Sequence, residues 1–160
     1  MDPALAPALA VAVLAAQCAV AAYMDFRHRV IPNLLCLSVI VTGVAAGAVT
    51  HDLGWVAMGL AHALIALLVG MALFATSVIG GGDAKFYAAV AVWVPLKSAF
   101  LMLVAVAALG VVLLLMWFPL RARIAAMAPT PARAADFMKL PYGMAIAAGG
   151  WLTYFVSTGS

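Results

Sequence analysis

All five acidic side chains of this chain are aspartates: Asp2, Asp25, Asp52, Asp83 and Asp136. Two carboxylates held close together cannot both ionise easily, so they come to share a proton. The ionised member can take a proton from water as general base. The protonated member can polarise a peptide carbonyl and then protonate the leaving amine. Hydrolysis by that route requires neither a metal nor a serine. The remaining polar side chains offer less. His51 and His62 are eleven residues apart, which on one helix is about three turns, roughly 16 Å, too far for one metal ion. Cys18 and Cys36 both stand in apolar runs and read as small buried hydrophobes, and no paired CxxC is present. Neither a metal nor another cofactor is expected.

Composition decides what must position these acids. Of 160 residues, 69% are hydrophobic and 8% charged, against about 25% charged in a soluble domain. The mean hydropathy is +1.22. So short a chain cannot hide that much apolar surface in a water-soluble core, and the lipid bilayer is the expected solvent. The net charge of +3 raises the question of nucleic acid. The charges fall between apolar runs rather than in one patch, so no nucleic-acid partner is expected. Asp2 stands where a signal peptide would carry basic residues, and the first apolar run is read as a retained span.

A helix needs about 20 apolar residues to cross the hydrocarbon core. The pattern predicts an all-α polytopic membrane protein of one domain, 1–160, with six transmembrane helices at about 3–24, 34–50, 53–79, 84–96, 98–120 and 141–156. The segment 84–96 is short for a crossing, and charge decides its treatment. If it crosses, Arg27, Arg29, Lys85, Arg121, Arg123, Arg133 and Lys139 share one side, leaving Lys97 opposite. Lys and Arg collect in cytoplasmic loops, so 121–140 is expected in the cytoplasm and both termini outside. Asp25, Asp83 and Asp136 then share the cytoplasmic side. Asp25 would end the first helix and Asp83 begin the fourth. Two readings stay open at this point: a catalytic pair, or interfacial aspartates paired with Arg27 and Lys85. Gly80-Gly81-Gly82 before Asp83 reads either as a plain linker or as a loop whose positive φ lets a carboxylate approach another segment closely. Pro32 is expected to stop the incoming segment and Asn33 to cap the second helix. Gly43 and Gly47 form a GxxxG, read first as packing within the chain. His62 is read as a hydrogen-bonding residue of the bundle interior and Asp136 as a solvated loop residue.

Three segments carry a resemblance. Asp25-Phe26-Arg27-His28-Arg29-Val30-Ile31-Pro32-Asn33 resembles the first active-site segment of the type IV prepilin peptidases. Gly80-Gly81-Gly82-Asp83-Ala84-Lys85 resembles their GxGD-x-K segment, and Lys139 to Ala147 is similar to the P-Y-G-x-A-I-A run that opens their last helix. The resemblance implies a GxGD-type aspartyl protease bundle in the bacterial inner membrane, cleaving the leader peptide of a prepilin substrate at the cytoplasmic face, just before the pilin's hydrophobic helix. It puts Asp25 and Asp83 in the catalytic roles, with Arg27, Pro32, Asn33, Gly80, Gly82 and Lys85 as supports of the active-site loops. Longer members carry a cytoplasmic insertion with paired CxxC motifs, linked with N-methylation of the new terminus. Here only about nine residues join the first two spans, so methyltransfer is not expected. The short form is similar to the peptidases of tight-adherence (Flp/Tad, CpaA-like) pilus systems. Two alternatives stand beside this reading: another intramembrane GxGD protease of the preflagellin kind, or a small transporter or scaffold subunit whose aspartates carry protons or fix helices. Oligomeric state is not legible.

Overall fold

Glycines and prolines divide the apolar sequence into helices of very unequal length. The computed structural model describes residues 5–126 and 138–158, and among them there is no strand. The helices are α1 (Leu5–His28), α2 (Asn33–Thr50), α3 (Leu53–Ala75), α4 (Gly81–Ala91), α5 (Ala99–Ala126) and α6 (Tyr142–Thr158), with a 3-10 turn over Leu96–Ser98 before α5. Among the described residues, four helices are long and apolar enough to cross a membrane: α1, α2, α3 and the segment Leu96–Ile124. Their exteriors are apolar too, with Leu64 59% and Leu115 70% exposed, a surface suited to lipid.

The shortest α-helix among the described residues is the core. α4 has 11 residues, about 16 Å of rise, and packs against α2, α3 and α6, while α1 lies on α2 and α6, and α5 on α6. Phe86, Ala89, Val90, Ala91 and Val94 are fully buried and Trp93 nearly so. α4 ends in a turn before Pro95, and its last polar groups are met from neighbouring helices. His62 Nδ1 lies 2.9 Å from the Val94 carbonyl; a carbonyl only accepts, so Nδ1 carries the hydrogen. The Trp93 indole N–H donates to the Val39 carbonyl at 2.9 Å. His62 is thus the buried hydrogen-bonding residue expected, and Cys18 and Cys36 are buried free thiols.

Small residues let the helices approach. A Cβ on Gly43 would sit 2.7 Å from Trp93 Nε1, and one on Gly47 would press on Val56 and Trp55. The GxxxG therefore packs within the chain. A Cβ on Gly59 would collide with the Val92 carbonyl, so α3 crosses α4 almost backbone to backbone.

Several expected boundaries shift. α1 runs on past residue 24 to His28, which places Asp25 inside the helix rather than at its end. α3 stops at Ala75 instead of 79, and Gly81 and Gly82 form the first turn of α4 rather than a loop. Asn33 does not cap α2: Pro32 holds the N-cap position with no side-chain cap bond, because the Asn33 amide is engaged elsewhere. α5 continues into the segment expected to be a loop, so Arg121 and Arg123 are helical. Asp2, Arg133 and Asp136 lie outside the described residues.

The close crossing of α3 and α4 gives a stability test. Gly59→Ala should lower stability by about 1–3 kcal/mol through overpacking, measured by thermal unfolding in detergent. Leu115→Ala, on the exterior of α5, should change it by less than about 0.5 kcal/mol. Equal effects of the two substitutions would contradict the crossing.

Candidate active site

Asp25 belongs to the last turn of α1 and is buried. Its Oδ2 accepts the Gly143 backbone N–H at 2.8 Å, across 118 residues. Gly143 stands in the first turn of α6, where backbone N–H groups have no partner within the helix. Glycine makes room for this bond: a Cβ there would sit 2.8 Å from Asp25 Oδ2 and 2.8 Å from Ile31 Cδ1 and would push the carboxylate away.

Asp83 is the third residue of α4 and reaches back to the backbone of Gly80, which holds the N-cap position. That is the carboxylate half of a capping box. A Cβ on Gly80 would stand 2.9 Å from Asp83 Oδ2, while Gly82 has nothing within 4 Å of where its Cβ would be. No described glycine has positive φ. The glycine run therefore supplies close space at Gly80, a Cβ on Gly82 would enter open space, and neither residue uses the positive φ expected of the run.

Asp25 and Asp83 line one cavity of about 360 Å³, with Arg29, Val30, Ile31, Gly80, Gly82, Lys85, Lys139 and Leu140. The Asp83 carboxyl feels the negative charge of Asp25 across this space and is hydrogen-bonded by the Gly80 backbone. Two acids that repel one another in a shared, half-dry space are suited to holding one proton between them.

The supports named from sequence separate. Gly80, Gly82 and Lys85 line the cavity. Asn33 does not; it is one bond away, its Oδ1 accepting from Lys85 Nζ at 2.7 Å, which ties the start of α2 to α4. Pro32 also lies off the cavity and serves as the N-cap residue of α2. Arg27 is exposed and points elsewhere, because residues two apart on a helix lie on nearly opposite faces. The cation at the cavity on this strand of chain is Arg29. It follows the helix end with φ of 56°, its N–H bonded to the Asp25 carbonyl at 3.0 Å. Sequence reasoning also gave no role to Gly143 or Lys139. The similarity of the Pro141-Tyr142-Gly143 segment was the available signal, but a backbone amide leaves no mark of its own in a sequence. No three His, Cys, Asp or Glu side chains converge among the described residues.

No curated protein and no solved structure matches the chain. The model of the type IV leader peptidase family does, over residues 12–115. The match takes in Asp25, Asp83 and all of α4, while α6 and its Gly143 lie beyond it. A match over well more than half of its length shows that the chain belongs to the type IV leader peptidase family.

Proposed function

We propose that this leader peptidase is an aspartic endopeptidase in which Asp25 and Asp83 form the catalytic pair. The observation that carries the reading is the opening of both carboxylates onto one cavity. The Gly143 amide occupies Asp25 Oδ2, which leaves Oδ1 as the base, and Asp83 across the cavity is the proton carrier. Asp25 Oδ1 takes one proton from water as its oxygen adds to the scissile carbonyl carbon. Asp83 donates a hydrogen bond to the carbonyl oxygen. When the C–N bond breaks, the leaving amine takes the Asp83 proton. The pair again holds one proton, now on Asp25, and its sharing across the cavity restores the starting state. Arg29, Lys85 and Lys139 surround the pair with positive charge that compensates its remaining negative one.

In this proposal the substrate is a Flp/Tad-type prepilin, cleaved between its leader peptide and its apolar helix at the cytoplasmic face of the inner membrane. The chain forms a single domain of six spans. α4 and α6 complete the count as a short central crossing and a 17-residue last one, and both termini lie outside. The basic character of 121–140 and of the α1–α2 connection supports that orientation. Asn33 and Pro32 support the site indirectly, through Lys85 and through the start of α2.

Three measurements test this. Asp25→Asn and Asp83→Asn should each cut leader cleavage about a thousandfold or more while leaving the protein inserted, and the double variant should be little worse than either, as for residues acting as one unit. Asp136→Asn should retain most activity. Near-wild-type turnover in either single variant would rule the pair out. In cysteine accessibility labelling, positions 123 and 160 should react from opposite sides of the membrane; reaction from one side would refute the six-span topology. Incubation with S-adenosylmethionine should leave the trimmed pilin unmethylated, and stoichiometric methyl incorporation would contradict the short-form assignment.

A further inference from the structure

Trp117 lies on α5, two residues past the end of the family match. Its neighbours Met116 and Phe118 are 63% and 61% exposed, whereas Trp117 is 5% exposed. The end of α1 covers it. The Arg29 guanidinium carbon lies 4.7 Å from the centroid of the indole, and Phe26 meets the ring edge-on at 6.2 Å and 83°. Phe26 and Arg29 flank the turn that follows Asp25. The left-handed backbone at Arg29, uncommon for a residue with a Cβ, brings its side chain to the ring and the cavity together. A guanidinium over an indole face is held by the ring's quadrupole, more strongly where water is excluded.

We propose that Trp117 is a positioning residue for the carboxylate pair: its ring holds the Arg29 guanidinium in the cavity wall beside Asp25. This rests on the reading of Asp25 as the base. Of the charged groups on the cavity, Asp83 repels Asp25 and Lys85 is tied to Asn33. Lys139 enters from the segment before α6, and Arg29, whose backbone N–H is bonded to the Asp25 carbonyl, lines the cavity beside it. Without the aromatic face, the Arg29 side chain loses the contact that sets its orientation in the cavity wall. The ionised base then loses its compensating charge. Trp117 touches no reacting atom in this arrangement and acts through Arg29 alone.

The test is a double-mutant cycle on the full chain in liposomes, with cleavage of a leader-bearing precursor as the readout. Trp117→Leu should lower kcat about tenfold while KM stays within about twofold, and Trp117→Phe should recover most of the loss. Trp117→Leu combined with Arg29→Gln should be no slower than Arg29→Gln alone, because the ring has nothing left to hold. Should the leucine variant fail to insert or fold, Trp117→Met fills the space without a π face and takes its place in the cycle. Losses that multiply in the double variant, a phenylalanine variant as impaired as leucine, or an effect confined to KM would each overturn the proposal. Failure of the underlying reading looks different: Asp25→Asn would then cleave at the wild-type rate, whatever the cycle gave.

Discussion

The hydrogen bond from the Gly143 amide to Asp25 joins the end of the first helix to the start of the last, and the surrounding packing is arranged to permit it. An ionised carboxylate taken out of water costs several kcal/mol unless charges and hydrogen bonds replace the lost hydration. A helix N-terminus offers unpaired N–H groups and a partial positive charge, and α6 presents this end to Asp25. Such a bond needs the two backbones closer than a side chain would allow, hence the glycine. It also needs Asp25 on the inner face of a helix that continues past it, which is why α1 runs on to His28 before the chain turns. The left-handed residue at Arg29 ends the helix and returns a cation to the same side.

Asp83 is held by the same kind of device, used in the opposite sense. Its own helix supplies the N-terminal backbone through Gly80, and the helix itself is the most enclosed element of the bundle. Exterior helices meet lipid with large apolar side chains. α4 has to be surrounded on all sides, so its contacts are made by small residues such as Gly59 and Gly43 on its neighbours and Ala88, Ala89 and Ala91 on itself. Its carbonyl end is satisfied by His62, and Lys85 near its start is tethered to Asn33. A short helix fixed at both ends has little freedom to slide, and it keeps Asp83 in register with a partner 58 positions earlier in the chain.

Much of this was legible in the sequence, and each failure has its own physical cause. Helical class, the buried hydrogen-bonding role of His62, and both cavity carboxylates follow from residue type, apolar run length and the resemblance of three segments. Boundaries failed at Asp25, residue 79 and residue 120, because hydropathy marks where a lipid-facing surface stops, whereas a helix stops where its backbone hydrogen bonds stop. Arg27 was expected at the site, whereas Arg29 lines the cavity, because nothing in the sequence marked a left-handed turn at a non-glycine residue. Asn33 suited an N-cap by propensity, yet a longer-range partner, Lys85, took its side chain. Trp117 was one more apolar residue in an apolar helix. What singles it out is the burial of one indole among exposed neighbours, and only packing reveals that.

The position of the two acids also explains the use of glycine around them. Both carboxylates sit in terminal turns, where backbone groups are unsatisfied and a substrate's peptide groups can compete for them. Gly143 and Gly80 allow contacts so close that a methyl group would displace the carboxylate, while Gly82 leaves the opposite side of Asp83 open. Closeness without openness would bury the pair beyond reach of a peptide. Openness without closeness would leave Asp25 to water and the pair as two ordinary surface aspartates. The three glycines, at two helix starts, supply both conditions. Arg29, Lys85 and Lys139 line the same space, so the negative charge that the two carboxyls bring into it is met by cations on the same cavity wall.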